Sequence, residues 1–149
     1  MSQPCPGPAE SFPVSYAIFQ LARTHRAYAG DLLRALDLFP GQEIMLMALW
    51  EHGERTQSEL VQLLACDPST VAKSLRRMET AGLVTRRALA QDRRVSIVSV
   101  TKKGRVLQRR VETAWRALED ATVASLDEAQ RHTAVCLMRI IEADVAKQR

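Results

Sequence analysis

The chain has 149 residues, 46% of them hydrophobic, and a net charge of +4. That suits one domain, or one compact unit with an appended interface, and no apolar run approaches the ~18 residues needed to span a membrane. Three widely spaced cysteines (Cys5, Cys66 and Cys136), with no Cys-x-x-Cys pair, exclude a disulfide framework and fit a cytosolic chain with reduced thiols.

Pro4, Cys5, Pro6, Gly7 and Pro8 lack the charged and apolar regions of a signal peptide, so residues 1–12 are expected to form a short flexible tail. From Val14 to Leu36, Ile18, Leu21, Ala22, His25, Ala29, Leu32 and Leu36 recur on one helical face. Pro40-Gly41 breaks that helix. Gln42 to Trp50 is apolar nearly all round, as in a buried central helix, and His52-Gly53 ends it. Thr56-Gln57-Ser58-Glu59 has the capping-box pattern and opens a short helix to about Leu64. Asp67 followed by Pro68 is an N-cap with proline at the first helical position, so a second helix starts there and closes at Gly82. Leu83 to Arg87 and Val95 to Val100 are β-prone, and Ala90-Gln91-Asp92-Arg93 links them as a hairpin.

Thr101 then caps a long helix with the stripe Leu107, Val111, Ala114, Leu118 and Ala121. Asp127, with Gln130 three residues on, caps a last helix with the stripe Ala134, Leu137, Met138, Ile141 and Val145. The expected fold is mainly α (α+β): a winged helix-turn-helix lobe over 38–104, flanked by a helical dimerisation region formed by 13–37 and 105–149. The flanking stripes exceed what a small winged unit covers, which points to a second copy of the chain.

Charge is concentrated in the middle. From Glu54 to Arg110 there are thirteen Lys/Arg against five Asp/Glu, a local +8 that leaves −4 for the remainder. A basic, arginine-rich middle between acidic flanks is the footprint of a polyanion-binding surface. On the helix from Asp67 to Thr80, Val71, Leu75 and Met78 fall within about 60° of one another and face inward. Ser69, Thr70, Lys73, Arg76 and Arg77 then face outward. Hydroxyls and lysine suit phosphates, and arginine suits phosphates or guanine edges. An ordinary polar helix face has a similar mix; the capped helix before it and the hairpin after it favour DNA reading. Arg86 and Arg87 lie on one strand of that hairpin, and Arg93 and Arg94 lie at or just past its tip. The enhanced negative potential of a narrow minor groove attracts arginine. Asp92 would repel phosphate, so its expected role is to accept a hydrogen bond from Arg94 or a tip amide and shape the tip. A surface Asp–Arg pair of little consequence is the plainer alternative.

Several of these residues together resemble the MarR family of bacterial winged-helix transcription regulators, from about Val14 to Val145. They are Leu38-Phe39-Pro40-Gly41-Gln42, Ser69-Thr70-Val71, Glu79-x-x-Gly82-Leu83-Val84, and Asp92-Arg93-Arg94 followed by Val98-x-Val100-Thr101-x-x-Gly104. The resemblance implies a cytoplasmic homodimer built from first and last helices, binding double-stranded DNA at a pseudo-palindrome, with Arg94 as the minor-groove arginine. It also implies release of DNA when a small, often aromatic or phenolic, effector occupies the junction between dimer helices and winged lobe. His25, Trp50, Arg87 and Trp115 are the pocket candidates, although His25 also reads as a core histidine and both tryptophans as packing residues.

Other inputs and functions compete with that reading. The organic-hydroperoxide branch of the family resembles this chain near Ser15-Tyr16-Ala17-Ile18-Phe19, but Ser15 stands where that branch has its reactive cysteine. Cys66 falls at a turn position usually apolar, so burial is expected there rather than reactivity. Zinc-sensing relatives cluster His and Glu, whereas His25, His52 and His132 are scattered, and neither metal nor cofactor is expected. The function is read as a DNA-binding regulator, typically a repressor. Its rivals are a thiol-responsive regulator of the same fold and a non-specific architectural DNA binder. A small hydrolase using Cys66 or Ser69 is disfavoured, because no histidine lies between Gly53 and Arg131 to act as base.

Overall fold

The computed structural model describes residues 7–148, so Cys5 and the first half of the expected tail lie outside it. The chain divides into two compact units, the first ending at Trp115 and the second beginning at Arg116.

The first unit opens with a correction: residues expected to be a flexible tail include a turn of helix, α1 (Pro8–Ser11). Pro8 at the first helical position presets φ, and the amides of Glu10 and Ser11 donate to the Gly7 carbonyl. Helix α2 (Pro13–Arg34) follows, then a turn through Leu38, Phe39 and Pro40. Helix α3 (Gln42–His52) starts from Gly41, whose φ of +96° is a left-handed conformation that glycine adopts without a Cβ clash. Two buried polar side chains serve the same corner. Gln42 Oε1 accepts from the Phe39 amide at 3.0 Å, and Glu43 Oε2 accepts from the Gly41 amide at 2.8 Å. Burial pushes the Glu43 carboxyl above its usual range, against the opposing pull of hydrogen bonds from its own amide and that of Gly41.

Next come β1 (Arg55–Thr56), α4 (Gln57–Leu64), α5 (Pro68–Thr80), β2 (Val84–Ala88) and β3 (Ser96–Val100). The expected hairpin is present, but the sheet has three antiparallel strands in the order β1-β3-β2. Strand β1 pairs Arg55 with Val98 and Thr56 with Ile97. Two residues are too few to show an alternating pattern, which is why this strand leaves no mark in the sequence. The core gathers Leu33 from the end of α2, Leu38 from the turn after it, Met45, Leu46 and Leu49 from α3, and Leu60 from α4. It is completed by Val71, Leu75 and Met78 from α5, and by Leu83, Val84, Val98 and Val111.

The long helix expected after Thr101 is interrupted. It forms as α6 (Lys102–Val106) and α7 (Gln108–Thr122), with Leu107 in a turn between them. At the break the chain tightens, the Leu107 amide donating to the Gly104 carbonyl three residues back at 3.3 Å, while the start of α6 is fitted into a close corner. Thr101 Oγ1 accepts from the Gly104 amide at 3.0 Å and donates to the Gly82 carbonyl at 2.6 Å. Gly104 is buried, and a Cβ there would come within 2.3 Å of the Leu83 carbonyl oxygen and 2.6 Å of Val100 Cγ2.

The second unit carries the remainder of α7 and α8 (Glu128–Ala146). Asp127 and Gln130 form the expected capping box, and Arg131 donates to the carbonyls of Leu126 and Val123, closing the connecting turn. Helix α8 leaves Val135, Leu137, Met138 and Ile140 exposed, and α2 leaves Ile18, Phe19 and Leu21 exposed. Among the described residues no helix is long and apolar enough to cross a membrane.

Gly104→Ala is expected to destabilise the fold by at least the ~1–3 kcal/mol typical of overpacking, because the obstructing atom is backbone and cannot rotate away. Urea denaturation of the variant against wild type measures the loss.

Candidate nucleic-acid interface

Helix α5 is positioned by both ends and by its inner face. Val71, Leu75 and Met78 are buried, as their spacing predicts. At the N-terminus, Asp67 accepts from the Thr70 amide at 3.0 Å and from the hydroxyls of Ser69 and Thr70, each at 2.5 Å. These bonds, the Ser69 hydroxyl's first, hold the Asp67 carboxyl far below the usual carboxylate range. At the C-terminus, the Leu83 amide returns to the Met78 carbonyl, Gly82 takes a φ of +72°, and Lys103 Nζ donates to the Ala81 carbonyl at 2.7 Å.

The outer face is basic. Lys73, Arg76, Arg77 and Thr80 line one shallow depression of about 480 Å³. Among the described residues no carboxylate pairs with Lys73, Arg76 or Arg77. Arg77 instead lies over a ring, its Cζ 5.1 Å from the centroid of Phe39. Ser69 and Thr70 are exposed but already spend their hydroxyl protons on Asp67.

In the hairpin, neighbouring strand residues point to opposite faces and the arginines divide accordingly. Arg86, opposite Val98, donates through Nε and Nη2 to Glu79 Oε2 at 3.0 and 2.7 Å, tying β2 to the last turn of α5. Arg87, opposite Ile97, pairs with Glu54 Oε2 at 2.6 Å on the other face. Glu54 also accepts from the Ser99 hydroxyl, and that bond, followed by Arg87's, lowers its carboxyl pKa. At the tip, Asp92 Oδ1 accepts from the Arg94 amide at 2.9 Å while the Val95 amide donates to the Asp92 carbonyl. The carboxylate thus holds the tip through a backbone amide and leaves the Arg94 guanidinium unengaged. Arg93 and Arg94 are exposed, and no described carboxylate pairs with them.

The sequence-derived residues therefore fall into two groups. Lys73, Arg76, Arg77, Arg93 and Arg94 keep their in-plane or ammonium donors free, while Arg86 and Arg87 are occupied by carboxylates. Glu54 was not singled out in the sequence, and Phe39 entered only as part of the Leu38–Gln42 turn, with no role of its own. Glu54 lies thirty-three residues from Arg87, so only the folded sheet brings the two together.

The effector candidates are not gathered in one described cleft. Trp50 and Trp115 pack against the core, His25 is half-buried on α2, and Arg87 is held by Glu54. Trp50 Nε1 is buried without a protein acceptor. A cleft of about 530 Å³ between α3 and α4 is lined instead by residues including Met47, Glu51, His52, Arg55 and Leu63. The expected burial of Cys66 is also corrected. Ala65 ends α4 in a left-handed conformation at φ +49°, which leaves Cys66 exposed in the turn. Cys136 is exposed as well, with Sγ 3.6 Å from His132 Nε2.

Two predictions follow from these contacts. The Asp67 carboxyl titrates lower in the folded chain than in the unfolded one. Its stabilisation is therefore complete above the unfolded pKa of about 4 and is lost as pH falls through the folded value. Wild type should accordingly melt above Asp67→Asn at neutral pH, with the gap closing as acid is added; a gap that widens in acid would refute the cap's charge dependence. In a double-mutant cycle, Glu79→Gln and Arg86→Gln should show a coupling of about 0.5–1 kcal/mol, the upper range for exposed pairs, because one carboxylate oxygen receives two donors.

Comparison with known proteins bears on the family and the fold. Residues 41–96 match the model of the MarR family. The chain is 32% identical over 124 residues to the HTH-type transcriptional repressor IacR of Pseudomonas putida, covering 81% of this chain and 72% of that one. It is 35% identical over 77 residues to the organic hydroperoxide resistance transcriptional regulator of Bacillus subtilis (strain 168), and so spans about half the length of that relative, 52%. A solved mutant MarR from E. coli, complexed with operator DNA, has a TM-score of 0.83 over 92% of this chain and 99% of its own; at 20% identity that likeness is one of fold. The chain belongs to the MarR family of transcriptional regulators.

Proposed function

We propose that the chain is a homodimeric, sequence-specific DNA-binding regulator, most simply a repressor, that lays α5 in a major groove and its wing tip in the adjacent minor groove. The observation that carries this reading is the separation of its cations. Those on the outer face of α5 and at the hairpin tip are free of carboxylates, whereas those at the wing base are neutralised. Ser69 and Thr70 supply further contacts at the start of α5 once their hydroxyl protons leave Asp67, Arg93 supports Arg94 at the tip, and Asp92 shapes that tip. Exposed apolar residues on α2 and α8 support dimerisation, and two-fold symmetry then calls for a pseudo-palindromic operator with half-sites one helical turn apart. A neighbour of the same fold that is complexed with operator DNA supports DNA as the partner.

Release by a small aromatic or phenolic effector is supported by the buried, unsatisfied indole N–H of Trp50, a donor that a ligand oxygen can meet. The ligand need only bind one spacing of the two lobes better than the other. Thiol control is a second reading, favoured by exposed Cys66 directly before the Asp67 cap of α5. Loss of peroxide sensitivity in Cys66→Ser would support it.

The test of DNA reading is a salt titration on the operator recovered by footprinting the chain's own promoter region. Lys73→Ala and Arg94→Ala should each weaken binding and reduce the salt slope by about one unit, as removal of a phosphate contact requires. Unchanged affinity in both would refute the assignment of these faces. A random duplex bound within about tenfold of the best site would instead mark an architectural binder, since specific regulators separate the two by ~10³ or more.

A further inference from the structure

Phe39 is a large apolar side chain that stays 57% exposed in the turn between α2 and α3, outside the hydrophobic core. Its one ring contact of note is the Arg77 guanidinium, centred 5.1 Å from the ring centroid. Arg77 belongs to the basic depression on α5 with Lys73, Arg76 and Thr80.

The geometry of that contact matters. A guanidinium over a ring face is held by its charge against the ring quadrupole rather than by a hydrogen-bond acceptor, and among the described residues no carboxylate takes the Arg77 N–H donors. Arg86 presents the opposite case, with in-plane donors given to Glu79. A ring beneath Arg77 therefore limits the motion of a long side chain without consuming the groups that would meet a phosphate or a guanine edge.

Building on the DNA-binding reading, we propose that Phe39 is a positioning residue of the interface: its ring holds the Arg77 guanidinium ready at the surface of α5. Part of the ordering that DNA would otherwise impose on Arg77 is already present in the free protein. Phe39 carries no charge and counts no phosphate, so its contribution differs from that of the cations around it.

The experiment measures binding of wild type, Phe39→Ala, Phe39→Leu, Phe39→Tyr, Arg77→Ala and the double variant Phe39→Ala/Arg77→Ala to one operator duplex across a salt series. Arg77→Ala should weaken binding and, if it meets a phosphate, lower the salt slope by about one unit. Phe39→Ala should weaken binding roughly two- to five-fold, the range of an exposed cation–π contact, with the slope unchanged. Phe39→Tyr should restore affinity. Phe39→Leu, which keeps apolar bulk without a π face, should not, and this separates positioning from a packing defect. In the Arg77→Ala background, Phe39→Ala should have no further effect.

Wild-type affinity in Phe39→Ala, tighter binding in that variant, rescue by leucine, or additive losses in the double variant would each overturn the proposal while leaving the DNA-binding reading standing. A wild-type protein that prefers no duplex over random DNA would remove the reading itself, and the proposal with it.

Discussion

Everything at the interface depends on the burial of one side of α5. Val71, Leu75 and Met78 are essentially withdrawn from water among residues of α3, α4 and the sheet. Deleting a buried side chain of this size typically costs ~2–5 kcal/mol, far more than any surface contact here supplies, so rotation of α5 about its axis is not available to the folded chain. Fixing that side fixes the other. Lys73, Arg76 and Arg77 point outward because the helical period leaves them nowhere else to go.

Carboxylates then determine which cations remain free. Glu79 takes Arg86 and Glu54 takes Arg87, on opposite faces of β2, so the wing base is close to neutral. Asp92 could have done the same to Arg94, but it accepts from the backbone amide of that residue instead. This choice shapes the hairpin tip and leaves the guanidinium untouched. Asp67 is likewise engaged by an amide and two hydroxyls of α5 rather than by a cation. Four acidic residues thus sit beside a polyanion-binding surface without cancelling its charge where contact is expected. Net charge alone would not reveal this, because the sorting depends on which atoms each carboxylate meets.

The local structure was largely legible in the sequence because it rests on short-range rules. Capping at Thr56, Asp67, Thr101 and Asp127 is written within four residues each, and all four caps form. The inner face of α5 follows from helical period. What was hidden depends on chain segments far apart or on strands too short to carry a pattern. Strand β1 exists only because Arg55 and Thr56 meet β3, and the close approach of Gly104 to the Leu83 carbonyl joins positions far apart in the chain. Exposure of Cys66 turned on the left-handed geometry of Ala65, a residue with no intrinsic preference for it. At the interface, the outward residues were legible, but their division into free and occupied arginines was not, since Glu54 reaches Arg87 only across the folded sheet.

These contacts also decide how an event elsewhere in the first unit can reach the outer face of α5. Helix α5 is joined to β2 through Glu79 and Arg86, and to the turn after α2 through Phe39 and Arg77. Phe39 follows Leu38, which is buried in the same core as the inner face of α5, so the turn has one side chain in the core and the next at the surface beneath a cation. A shift of α2 that moves this turn must therefore disturb either core packing, which resists strongly, or the Arg77 stack, which yields easily. The weaker contact is the one that will give, and it lies on the outer face of α5. Under the proposed function, a ligand need not touch the outer face of α5 to alter it. It has only to favour a position of α2 in which the ring no longer lies under the guanidinium.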